Sequence, residues 1–195
     1  MLDFTRIIQD DLIKIGCVFG SDKVLFIKCG QGGTIYGHGN MYLDFALKFN
    51  RKYGCTVMVS EILSDGREAF DREMETVCSL LGEGCRLCCL GISKGGLLTL
   101  WHGAENRMIE RIATVNAPLM LNFHNRTLPA ILKRPREELT LYYGTNDPSF
   151  SYVPFVETRS NTVIIENASH NLTPAELEPI IEQMCDRASV AWGVH

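Results

Sequence analysis

The sequence predicts an α/β protein: a mostly parallel, twisted sheet with helices on both faces. Two observations carry this. Short apolar, β-branched runs alternate with helix-length amphipathic stretches along nearly the whole chain, which is the pattern of strand–helix–strand crossovers. At its centre, Leu87–Leu100 (LCCLGISKGGLLTL) runs from a buried strand into a helix through a turn built on Gly91 and Gly95. Composition agrees, since 46% hydrophobic and 22% charged residues over 195 positions suit one globular domain spanning 1–195. No internal repeat or low-complexity segment interrupts it.

In chain order, Thr5–Ile15 is expected to begin as a short helix, and the apolar alternation of Ile13–Phe19 reads as a strand. Gly20-Ser21-Asp22 is a turn, Val24–Ile27 a second strand, and Cys29-Gly30-Gln31-Gly32-Gly33 a glycine-rich loop behind it. Asn40–Tyr53 carries enough apolar positions for a helix packed on a sheet, and Gly54 ends it. Thr56–Ser60 is a strand. Arg67–Leu81 is an amphipathic helix, with Phe70, Met74, Val77 and Leu81 on one face and Gly82 and Gly84 as its stop. After the central strand and its helix, which runs to about Ala104, Arg111–Asn116 is another strand. Ala117–Glu138, with Pro118, Pro129 and Pro135, is the least regular stretch and leaves room for a short cap at 117–138. Leu139–Tyr143 is a strand, Tyr152–Glu157 a short helix and Thr162–Ile165 the last strand. Pro174 opens a final helix to about Ala188.

Bulk properties exclude several functions. A formal net charge of −4 with no basic stripe disfavours nucleic acid. Met1–Gly20 carries Asp3, Asp10 and Asp11 where a secretory leader needs an apolar core. The uncharged stretch Ile112–Asn125 is broken by Asn116, Pro118 and Asn122, so no membrane span is expected. Among the eight cysteines, Cys85 and Cys88 form one C-x-x-C with no second pair or nearby histidine, so no metal is expected. Reduced thiols in a cytoplasmic protein are the expectation.

Chemistry is concentrated at the central turn. Gly91-Ile92-Ser93-Lys94-Gly95 is the pattern G-x-S-x-G, and a strand turning abruptly into a helix lifts its corner serine above the sheet at a helix N-terminus. A serine hydroxyl needs a base, and the base needs a group that holds its tautomer. In an open sheet such groups gather at the carboxyl ends of strands. Downstream of Ser93 the aspartates are Asp147, directly behind a strand, and Asp186, late in the last helix and read as a solvated surface charge. Of the histidines, His170 follows the last strand, whereas His102 lies in a helix turned from the site, His124 in the irregular segment and His195 at the terminus.

At this point the chain resembles the α/β-hydrolase fold family, through GISKGG, YYGTNDP and NASHN in the order Ser…Asp…His, with FIKCGQGG where that family places its oxyanion loop. The resemblance runs from about Val24 to Ala188. It implies Ser93 as nucleophile, His170 as general base and acid, and Asp147 as the acid that orients the imidazole. It also implies the backbone N–H groups of Lys94 and Gln31 as oxyanion donors, with a neighbouring glycine as the alternative to Gln31. The sequence departs from the family in carrying Cys29-Gly30 where many relatives have His-Gly, and in leaving no room for a large lid. The resemblance further implies no cofactor and a small-molecule acyl substrate, taken as an ester with a small or exposed acyl group. Lys94's ammonium is given no catalytic role. Thioesterase, peptidase, acyltransferase or cofactorless lyase chemistry on the same site stays open, as does a non-catalytic binding protein. Tyr36, His38, Met120, Phe123 and Phe150 flank the predicted loops and are candidates for the pocket wall.

Overall fold

The computed structural model describes residues 3–192, with side chains as far as Ala188. Eight strands form one sheet: β1 Arg6–Gln9, β2 Lys14–Val18, β3 Ser21–Lys28, β4 Cys55–Ser60, β5 Arg86–Ile92, β6 Ile109–Val115, β7 Leu139–Gly144 and β8 Asn161–Ile165. The helices are α1 Met41–Tyr53, α2 Arg67–Leu81, α3 Lys94–Gly103, the short α4 Leu128–Leu132 and α5 Val153–Val156, and α6 Pro174–Trp192. Strand order is β1-β2-β4-β3-β5-β6-β7-β8, parallel from β4 to β8 and antiparallel only at the β1 and β2 edge. Parallel strands are covered on both faces, and the inner ones are accordingly apolar on both. Leu25, Ile27, Cys88 and Leu90 face α1 and α6, and their neighbours Val24, Phe26, Leu87 and Cys89 pack in the opposite layer with α2 and α3.

The N-terminal expectation needs correcting. Arg6–Gln9 is a strand hydrogen-bonded to Lys14–Cys17, not the start of a helix. Asp10 makes the difference: its Oδ1 accepts from the N–H groups of Leu12 and Ile13 at 2.9 and 3.0 Å, and its own N–H donates to Ile13 O. That closes a tight turn and returns Ile7 and Ile8 to the sheet, where β-branched residues fit. Strand β3 also starts earlier than expected, so Ser21 and Asp22 belong to it. Within 117–138 the chain is ordered into a π-helical turn, Phe123–Thr127, running directly into α4. Among the described residues no helix is long and apolar enough to cross a membrane.

One buried ion pair sits beneath the site. Lys28, ending β3, reaches Glu73 of α2 at 2.5 Å, and Ser60 at the end of β4 also donates to that carboxylate. Both charged side chains are almost fully buried. Burial pushes the Glu73 carboxyl up, and Lys28 opposes this. Such a pair costs desolvation on both sides, yet removing one partner strands the other. Glu73→Leu is therefore expected to destabilise the fold by about 3–5 kcal/mol, while Lys28→Met with Glu73→Leu recovers most of the loss. Urea denaturation of the two variants checks this; equal destabilisation in both would refute it.

Candidate active site

The corner between β5 and α3 is built by glycines. A Cβ on Gly91 would stand 2.3 Å from Gly96 Cα, and one on Gly95 2.2 Å from the Cys29 carbonyl oxygen, so no larger residue fits either place. This packing holds Ser93 at φ 50° and ψ −123°, a conformation costing a non-glycine residue about 1–3 kcal/mol. A 2.7 Å hydrogen bond from Ser93 N–H to Val115 O pins the corner to β6. The side chain is thereby presented at the carboxyl ends of the strands.

There it meets the two residues the sequence pointed to. Ser93 Oγ lies 3.0 Å from His170 Nε2, and His170 Nδ1 lies 2.5 Å from Asp147 Oδ2. A carboxylate only accepts, so Nδ1 carries the proton, and Nε2 is left to accept from the serine. Asp147 is buried in the turn after β7; its Oδ1 accepts from the N–H of Ser149 at 2.7 Å and from the Ser149 hydroxyl. The imidazole, by contrast, is half exposed.

The serine and histidine open onto a cavity of about 600 Å³ whose wall includes Gly30 and Gln31 and is otherwise largely apolar, with Met41, Ile92, Val115 and Leu177. Among the described residues, the backbone N–H groups of Lys94 and Gln31 have no protein acceptor, and neither does that of Gly32. The Lys94 ammonium pairs with Asp65 and is not part of the cavity wall. Among the described residues no three His, Cys, Asp or Glu side chains gather as a metal-ligand set.

No protein-family model matches the sequence, and no curated protein does. Solved structures do match. Est1E from Butyrivibrio proteoclasticus shares 14% identity over 94% of this chain and 96% of its own, with a TM-score of 0.66. An alpha-beta serine hydrolase homologue from Coxiella burnetii shares 13% over 96% and 99%, at 0.68. XC6422 from Xanthomonas campestris, a serine hydrolase without a lid, shares 15% over 98% and 96%, at 0.64. The likeness covers 94–98% of this chain. The chain has the α/β-hydrolase fold.

Within this α/β-hydrolase fold the other candidates separate cleanly. Of the five proposed wall residues only His38 lines the cavity. Tyr36 packs on Phe4 and donates to Asp3, and Met120, Phe123 and Phe150 pack in the α2–α3 layer beneath the sheet. His102 is buried against Phe70, with a ring nitrogen 3.4 Å from Asp65 O. His124 is exposed beside Phe123, Asp186 accepts from the Tyr53 hydroxyl, and His195 lies outside the described residues. Cys29 is buried; burial and the nearby Glu61 charge push its thiol up to about 12, and it donates to Thr34 O within the loop.

Sequence reasoning missed Asn116. This residue directly follows β6, is almost fully buried and takes φ 49°. Its Nδ2 donates to Ser169 O at 2.9 Å and to His170 O at 3.1 Å, while its Oδ1 accepts from Gly144 N–H at 2.9 Å. One amide thus ties the histidine loop to the end of β7, three residues before Asp147. The available signal was a lone asparagine at the carboxyl end of the strand beside the elbow, a place where a left-handed backbone is easily adopted. Asn116→Ala removes three hydrogen bonds and leaves the buried Gly144 N–H without an acceptor, so we expect stability to fall by about 1–3 kcal/mol. We also expect kcat for any substrate turned over to fall about 10- to 100-fold with little change in KM, because a shift of about 1 Å in a reacting group has that effect. Steady-state kinetics on the folded variant decides; an unchanged kcat would reduce Asn116 to a purely structural residue.

Proposed function

We propose that this chain is a serine hydrolase acting on carboxylic esters or related acyl compounds through an acyl-enzyme. The observation that carries the reading is the continuous Asp147–His170–Ser93 relay opening onto a cavity flanked by unengaged backbone N–H groups. In this mechanism Ser93 Oγ attacks the carbonyl carbon as its proton passes to His170 Nε2. The oxyanion is received by Lys94 N–H and Gln31 N–H, each donor worth about 3 kcal/mol at the transition state. His170 then protonates the departing alcohol. Water, deprotonated by the same imidazole, attacks the acyl-enzyme and frees Ser93 with release of the acid. Asp147 holds the tautomer and stabilises the imidazolium.

The largely apolar wall favours an uncharged acyl group, and a cavity of about 600 Å³ suits one of modest size. The Butyrivibrio protein has been solved with ferulic acid bound, which puts aryl-acyl esters among the first substrates to try. The segment 117–138 contributes no residue to the cavity wall, consistent with a site open to solvent.

Labelling with a fluorophosphonate probe tests the proposal. The folded protein is expected to react, and a panel of p-nitrophenyl and aryl-acyl esters is expected to show turnover peaking at short or aryl groups. Absence of labelling in folded protein would favour a binding protein without catalysis. Turnover rising steadily to long acyl chains would overturn the assignment of substrate size.

A further inference from the structure

At the opposite end of the sheet from Ser93 lies a shallow surface cleft, open to solvent over most of its extent and lined by Arg111, Arg136, Glu137, Asn161 and Arg187. These residues come from distant parts of the sequence. Arg111 is near the start of β6, Arg136 just ahead of β7, Asn161 first in β8 and Arg187 late in α6. Among the described residues all seven lysines face a carboxylate, and four of the twelve arginines do so: Arg67, Arg72, Arg86 and Arg134 pair with Asp71, Asp10, Glu110 and Glu138. Among the described residues, none of the three cleft arginines does.

Two of them are instead oriented by neutral carbonyls. Arg111 Nη1 donates to Glu137 O at 2.8 Å, and Arg136 donates from Nε to Ser160 O at 3.1 Å and from Nη2 to Glu157 O at 3.3 Å. Carbonyl bonds fix the planar groups without neutralising them and leave further N–H donors on each guanidinium. Arg187 is exposed and has no hydrogen-bond partner among the described residues. Against three guanidinium groups the cleft wall supplies one carboxylate, that of Glu137. Like charges gathered this way repel unless something negative sits among them, and pre-oriented guanidinium forks match phosphate oxygens.

We propose that this cleft binds the phosphate group of a small phosphorylated ligand, at a site separate from Ser93. Isothermal titration of the whole chain at low salt with inorganic pyrophosphate, and separately with phenyl phosphate, tests it. Saturable one-to-one binding of at least one is expected, unchanged in Ser93→Ala. Arg187→Gln, which removes no hydrogen bond within the described protein, is expected to weaken it about tenfold, the loss of one charge-assisted contact. Arg111→Gln is expected to act in the same direction. Binding of pyrophosphate alone identifies a free polyphosphate as the ligand type, and binding of both identifies the phosphate group whatever carries it. Absence of saturation by either anion, or equal affinity in Arg187→Gln, would overturn the proposal. Because Ser93 is uninvolved, these outcomes are independent of whether the chain hydrolyses esters.

Discussion

Ser93→Ala is expected to lower kcat for ester hydrolysis about a millionfold, the loss seen when the nucleophile of such a relay is removed, and to abolish fluorophosphonate labelling. The remaining structure should be undisturbed: the hydroxyl makes one hydrogen bond, to an imidazole that is half exposed. The backbone at φ 50° is held by its neighbours and not by the side chain, so alanine inherits the strain. Ser93→Gly removes it, and should be as inactive as alanine yet more stable by about 1 kcal/mol or more. Thermal unfolding and initial rates measured on both variants separate the two effects. Retention of more than a trace of activity in either would remove Ser93 from the mechanism.

Asp147→Asn is expected to cost about 10⁴ in kcat with the fold intact. The substitution is nearly isosteric, and an amide oxygen can still accept from Ser149. What it cannot do is accept from His170 at Oδ2 with the certainty of a carboxylate: an NH₂ placed there forces the imidazole to protonate Nε2 instead, the nitrogen that receives the serine proton in the proposed mechanism. It also leaves the imidazolium formed during attack without its counter-charge. Ser149→Ala tests the support of the acid separately, since it removes one hydrogen bond to Oδ1 while the Ser149 N–H remains; about a tenfold loss is expected. An Asp147→Asn variant within tenfold of the parent would show that another group orients His170.

Much of this was legible in the chain. The alternation of strands and helices from Val24 onward, the helix Arg67–Leu81 and the glycine-bracketed corner at Ser93 are local features. Their residues report periodicity, turn chemistry and the absence of Cβ atoms without reference to anything distant. The placement of Asp147 and His170 directly behind strands was legible for a similar reason, since in a parallel sheet strand ends collect on one edge. The Arg6–Gln9 hairpin was not legible, because four residues carry little periodicity and the strand exists only by pairing with Lys14–Cys17.

The sequence by itself determined the class of sheet, the order of its chemistry-bearing residues and the elbow that strains Ser93. Tertiary structure alone decided which groups meet. It put Ser93, His170 and Asp147 within hydrogen-bond reach, excluded Met120, Phe123 and Phe150 from the cavity, made Asn116 the tie between two loops, and gathered Arg111, Arg136 and Arg187 on one cleft. The physical reason is that side-chain direction and long-range register depend on packing between segments far apart in the chain. Periodicity fixes the face a residue occupies, but not what the opposite face brings to meet it.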